Sequence, residues 1–99
     1  MRLQAEREAV AEYGRKLITS QLSTGTGGNL SVYNRAEGLI AISPSGMDYF
    51  AIRPEDVVVV DLDGCVVEGS RKPSSELRFH LDLMRHRPDV NAVVHTHQV

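Results

Sequence analysis

The residues with the most chemistry in them come last in the chain: His95-Thr96-His97, at the end of Asn91-Ala92-Val93-Val94. In a strand, residues i and i+2 point to one face. The two imidazoles then project side by side and can reach a single ion. Zinc suits such a pair, with Zn–N bonds of about 2.0–2.1 Å. A second group is Pro73-Ser74-Ser75-Glu76. Two hydroxyls beside the free N–H groups of a helix start form an anion site, and Glu76 falls in the first helical turn as a carboxylate. A third is Gly25-Thr26-Gly27-Gly28-Asn29, whose backbone N–H groups can wrap a phosphate. Ser45-Gly46 adds a hydroxyl and a close-approach amide.

Each piece alone has an ordinary explanation. An isolated His-x-His is commonly two histidines on a half-exposed strand. Ser-Ser-Glu at a helix start is commonly capping, with the acid favoured by the helix dipole. The glycine loop is neither a Walker loop nor a dinucleotide fingerprint, because no Lys-Ser/Thr follows it and no strand precedes it. His80 and His86 read as surface or packing residues of a helix rather than ligands.

The elements that must position these groups follow from periodicity. Leu3, Val10, Tyr13, Leu17, Ile18 and Leu22 recur at helical spacing, which predicts an amphipathic helix over 2–22. It gives way to a loop over 23–29, where three glycines in seven residues cannot continue a helix cheaply. Leu30–Tyr33 and Leu39–Ser43 are predicted strands joined by a turn at Asn34–Gly38. Pro44–Gly46 forms a loop and Pro54–Asp56 a short turn. Val57–Val60 is β-branched throughout and reads as a buried strand, and Asp61–Gly64 turns it into Cys65–Val67. Gly69–Pro73 is a loop. A second helix starts at Ser74 or Ser75 as N-cap and runs to about Arg87, before Pro88, with Leu77, Leu81 and Met84 on its apolar face. Asn91–His97 is the last strand. The order predicts an α/β domain with a mixed or antiparallel sheet.

Composition bounds the partners. The 99 residues carry a net charge of −2, and 41% are hydrophobic. That suits one domain, 1–99, with a real core. No basic stripe exists to track a phosphodiester backbone, which excludes nucleic acid as a partner class. The N-terminus interleaves charged and apolar residues, unlike a secretory leader. No run approaches the roughly 18 apolar residues of a membrane span. The single cysteine, Cys65, precludes an internal disulfide and fits a reducing compartment. The expectation is a cytoplasmic protein.

Taken together, and in order, the N-terminal helix, GTGGNLSV, SPSG, KPSSELRFH and RPDVNAVVHTH resemble the class II aldolase and adducin family, in its L-fuculose-1-phosphate aldolase branch. The resemblance covers essentially the whole chain. It implies a layered α/β domain with a mostly antiparallel sheet flanked by helices. It implies zinc on His95 and His97, and Glu76 as general acid/base. It places phosphate contacts on Gly28, Asn29, Ser45, Gly46, Ser74 and Ser75. Relatives often carry Thr where Ser45 stands, and either hydroxyl can donate to phosphate. The implied reaction cleaves a ketose 1-phosphate such as L-fuculose 1-phosphate to dihydroxyacetone phosphate and lactaldehyde, through an enediolate that the metal stabilises.

Relatives take a third zinc histidine from well downstream and assemble as homotetramers. Glu76 completes a His₂Glu set only by giving up freedom as a base. The chain ends two residues after His97. The expectation is therefore a C-terminally incomplete domain, inactive by itself. Sibling epimerases resemble the chain but usually carry Asp at the position of Glu76, so Glu76 favours the lyase over an epimerase or dehydratase. An adducin-like domain without metal is opposed by the intact His95 and His97. The product of a broken gene is the remaining alternative.

Overall fold

A computed structural model describes residues 2–19, 28–46 and 51–95, the side chains of 17–19 excepted. The elements run α1 (Gln4–Thr19), β1 (Asn29–Asn34), β2 (Leu39–Ile42), a 3-10 turn (Pro54–Asp56), β3 (Val58–Asp61), β4 (Val66–Glu68), α2 (Leu77–His86) and β5 (Ala92–His95). The five strands form one sheet in the order β4-β3-β2-β1-β5, and every pair is antiparallel.

The central strands are apolar on both faces because each face has its own helix. Leu39, Ala41, Val57 and Val59 pack with Leu3, Val10 and Ala11 around α1. Ile40, Ile42, Val58, Val60 and Val93 pack with Leu81 and Met84 of α2. Successive strand residues thus serve opposite cores. The valine run is fully buried for that reason, each side chain contributing about 1.5–3 kcal/mol relative to exposure. The result is three layers, helix, sheet and helix, as the resemblance implied.

Two expectations about the helices need correction. Tyr13 is not on the buried stripe of α1: it is 52% exposed, with the Lys16 ammonium over its ring at 5.1 Å. The stripe is Leu3, Arg7, Val10, Ala11 and Gly14, and at about 100° per residue Tyr13 lies about a quarter-turn round from its centre. Leu17, Ile18 and Leu22 lie outside the described side chains. The second helix starts later than expected. Its N-cap is Glu76, without a side-chain cap bond. Ser74 Oγ instead accepts the Glu76 N–H at 3.2 Å, a local turn that delays the helix to Leu77.

Arg7 replaces an apolar residue in the centre of the α1 stripe and is 2% exposed. Its guanidinium donates to Arg2 O at 2.6 Å and to Val57 O at 3.3 Å, and pairs with Glu68 of β4. It ties α1 to the sheet's far edge while satisfying buried carbonyls. Arg7→Ala is therefore expected to destabilise the protein by about 2–4 kcal/mol, since it orphans several acceptors at once. Glu68→Gln, at a carboxylate 37% exposed, should cost about 1 kcal/mol or less. Urea unfolding midpoints at constant slope measure both. A loss under about 0.5 kcal/mol for Arg7→Ala would contradict the role given to it.

Candidate active site

Three chain segments meet at one end of the sheet, and backbone hydrogen bonds hold them there. At the start of β1, Leu30 N–H donates to Ser43 Oγ at 3.2 Å, and Ser43 N–H donates back to Leu30 O at 3.0 Å. Beyond β2, Pro44 forms an antiparallel bridge with Pro73. The bonds flank the prolines: Ser45 N–H to Lys72 O at 2.8 Å and Ser74 N–H to Ser43 O at 3.0 Å. This is a non-hydrogen-bonded pair, in which neither opposed residue needs its own N–H. Proline therefore fits on both sides. Gly28-Asn29, Ser45-Gly46 and Ser74-Ser75 are drawn together in this way. Gly28 and Gly46 have φ of 88° and 70°, a left-handed backbone that favours glycine at both turns.

The same stitch fixes where α2 begins, and so where Glu76 stands. Across the β1–β5 pairing, His95 lies opposite Asn29. Asn29, Ser31, Val93 and His95 share the sheet face under α2. Glu76 Oε2 and His95 Nδ1 approach to 3.7 Å, each about a third exposed. Phe79 packs against the His95 ring, with centroids 5.1 Å apart.

Carboxylate oxygen and imidazole nitrogen are both donors that zinc accepts, and 3.7 Å is less than two zinc–ligand bonds of about 2.1 Å each. The pair therefore fits a shared ion. Among the described residues no group of three His, Cys, Asp or Glu side chains gathers closely enough to hold one. His97 lies outside the described residues, as do Gly25, Thr26 and Gly27.

The structure draws attention to a histidine that the motifs passed over. His80 is fully buried. Its Nδ1 is 2.6 Å from Ser31 Oγ, and its Nε2 bonds Asn29 Oδ1. Burial pushes its pKa down to about 4; the neighbouring His95 adds to the shift and Glu76 opposes it. The ring is thus neutral at physiological pH. The signal was its spacing: His80 falls inside the Leu77–Leu81–Met84 stripe, facing the core. His86 is exposed, as expected.

Residues 8–99 match the class II aldolase and adducin N-terminal domain. The chain belongs to the class II aldolase and adducin family. It is 60% identical over 97 residues to a 5-deoxy-D-ribulose 1-phosphate aldolase of Bacillus thuringiensis serovar kurstaki, covering 98% of this chain and 46% of that protein. It is 48% identical over 93 residues to a 5-methylthioribulose-1-phosphate/5-deoxyribulose-1-phosphate aldolase of Rhodospirillum rubrum, covering 94% of this chain and 41% of that protein. Among solved structures, an L-fuculose 1-phosphate aldolase superposes with a TM-score of 0.92 at 46% identity, over 96% of this chain and 45% of that one. The chain spans about half the length of the curated relatives it matches. Among the described residues no helix is long and apolar enough to cross a membrane.

The family domain's buried histidine makes a pH prediction. His80 takes a proton near 6.5 in the unfolded chain but only near 4 in the fold. Its contribution to stability is then complete above pH 6.5, is lost as pH falls from 6.5 to 4, and is constant below. An NMR titration of the imidazoles should give His80 a midpoint near 4. A midpoint at or above 6.5 would contradict its burial as a neutral ring.

Proposed function

We propose that the protein is a metal-dependent aldehyde-lyase that cleaves a ketose 1-phosphate to dihydroxyacetone phosphate and an aldehyde. One observation carries the proposal. The segments Gly28-Asn29, Ser45-Gly46 and Ser74-Ser75 meet at the end of the sheet where Glu76 and His95 lie 3.7 Å apart. The names of the relatives supply the substrate class. The 60% identity to a 5-deoxy-D-ribulose 1-phosphate aldolase makes that sugar phosphate the first to test, with acetaldehyde as the second product. L-Fuculose 1-phosphate, giving lactaldehyde, is the next. Both carry the same ketone and C1 phosphate, which is the end the described segments would bind.

In this reading Gly28, Asn29, Ser45, Gly46, Ser74 and Ser75 hold the phosphate through N–H and O–H donors. They anchor an end of the substrate that does not react and so orient the carbons that do. Ser74 Oγ accepts the Glu76 N–H and keeps its own proton free to donate outward. When the C3–C4 bond breaks, the C4 hydroxyl loses a proton and C3 gains one. Glu76 follows Ser75 directly and moves one of these protons. Zinc would be held by His95 and His97, with Glu76 as a carboxylate ligand or as the base, not both at once. When bound, the ion supplies Lewis-acid stabilisation of the charge that develops beside the ketone carbon. By the same family reading the full-length protein is a homotetramer; its charge pattern, apolar runs and single cysteine point to a cytoplasmic protein with no nucleic-acid or membrane partner.

The test is an assay of the complete protein with 5-deoxy-D-ribulose 1-phosphate, following dihydroxyacetone phosphate. Glu76→Gln should keep the fold and most of the zinc while kcat drops by about 100-fold or more. Near-normal turnover would pass the proton to another group. His95→Ala and His97→Ala should each abolish stoichiometric zinc in metal analysis. Unchanged zinc content would remove that residue from the ligand set.

A further inference from the structure

Asn29 is a buried asparagine at the start of β1, 4% exposed, and its carboxamide can face the phosphate cradle in two ways. The nitrogen side offers two N–H donors and the oxygen side only acceptors. A dianionic phosphate is bound by the first and repelled by the second. Something must therefore choose the orientation, and the choice is written in the contacts beneath it.

His80 touches the Asn29 oxygen through Nε2 and the Ser31 hydroxyl through Nδ1. A neutral imidazole has one N–H and one lone pair. The Asn29 oxygen only accepts, so Nε2 must carry the hydrogen. Nδ1 is then the lone pair and must receive the Ser31 O–H. With the Asn29 oxygen on the ring, as it lies here, this is the one self-consistent assignment of the Ser31–His80–Asn29 relay; a flipped amide would require the opposite tautomer, with Nδ1–H donating to the Ser31 oxygen. All three side chains are buried, Ser31 at 1% and His80 at 0% exposure, so water does not readily replace any member. His80 is anchored in turn by its place one helical turn after Glu76, with its own N–H on Glu76 O at 3.3 Å.

We propose that His80 is a positioning residue: by holding the Asn29 oxygen, it turns the Asn29 NH₂ group toward the phosphate end of the substrate and prevents the carboxamide from flipping. This rests on the reading of Asn29 as a phosphate contact. His80 itself touches neither phosphate nor metal. Ser31 acts one step further back, supporting the Nε2–H ring by donating its hydroxyl hydrogen to Nδ1. The device selects for a ligand that is an anionic acceptor at this position, such as a phosphate monoester, over a neutral hydroxyl that tolerates either face of the amide.

The experiment is a double-mutant cycle on the complete, zinc-loaded protein. Its readouts are KM and kcat for 5-deoxy-D-ribulose 1-phosphate, and the affinity for inorganic phosphate by calorimetry, which needs no turnover. Asn29→Ala should raise KM and weaken phosphate binding about tenfold, the loss expected for one hydrogen bond to a charged group. His80→Leu should do nearly the same, with kcat changed less than about threefold and zinc content unchanged. The double variant should be no worse than Asn29→Ala alone, because His80 acts only through Asn29. His80→Gln, which can still offer an N–H to the Asn29 oxygen, should recover most of the affinity. It also carries the cycle if His80→Leu does not fold. A general packing defect would instead multiply with Asn29→Ala and would not be rescued by glutamine.

The outcomes separate the two claims. Unchanged KM and phosphate affinity in Asn29→Ala would overturn the phosphate assignment of Asn29. A tenfold loss there, with none in a folded His80 variant or with multiplicative losses in the double, would overturn the positioning role alone. Nitrogen-15 spectra give an independent check. They should show His80 as the Nε2–H tautomer, and an Nδ1–H ring would contradict the relay.

Discussion

Everything at the candidate site depends on one short piece of antiparallel pairing. The two backbone hydrogen bonds that flank Pro44 and Pro73 fasten the end of β2 to the approach of α2. They decide where Ser74 and Ser75 lie relative to Ser45 and Gly46. They also decide where the second helix can begin. Ser74 has given its N–H to Ser43 and its hydroxyl lone pair to Glu76, so the helix starts at Leu77 and Glu76 stands at its mouth. Proline is accommodated on both sides of the bridge because, in a non-hydrogen-bonded pair, neither residue's N–H faces its partner.

A second constraint comes from the sheet. β1 lies between β2 and β5, so Asn29 is tied through its neighbour Leu30 to Ser43 at the end of β2 and stands opposite His95 on the other flank. The proposed phosphate segments and a candidate metal ligand are thus joined by one strand. The face they share is the face covered by α2, which brings Glu76 and His80 over it from above. Side chains that are far apart in sequence become neighbours through strand register rather than through flexible loops, which favours a preorganised site. The two halves of the core maintain that register: a one-residue slip of β2 would exchange Ile40 and Ile42 with Leu39 and Ala41 between the two helices.

Much of this was legible in the residues. Leu39–Ser43 read as a strand and the run Val57–Val60 as a buried one, and glycine and proline marked the turns between them. The site motifs were visible because Ser-Ser-Glu and His-x-His carry their spacing locally. What could not be read was long-range or hidden in a pattern. The proline bridge joins positions 29 residues apart and has no local signature. Arg7 sits on an apolar stripe because it satisfies carbonyls from distant turns, which periodicity cannot see. Tyr13 fits a helical repeat yet falls just off the buried arc. His80 reads in the sequence as a surface or packing residue, and it packs; its bonds to Ser31 and Asn29 are tertiary and become visible only once β1 lies beneath α2.

The central claim is that the ends of β1 and β2 and the turn before α2 form a phosphate cradle beside Glu76 and His95. A crystal structure of the complete protein with bound dihydroxyacetone phosphate tests it most directly. The account predicts the phosphate among Asn29, Ser45, Gly46, Ser74 and Ser75, with the Asn29 nitrogen toward it and the carbonyl end toward Glu76 and His95. A phosphate bound elsewhere, or bound there with the carbonyl end turned away from Glu76 and His95, would contradict it.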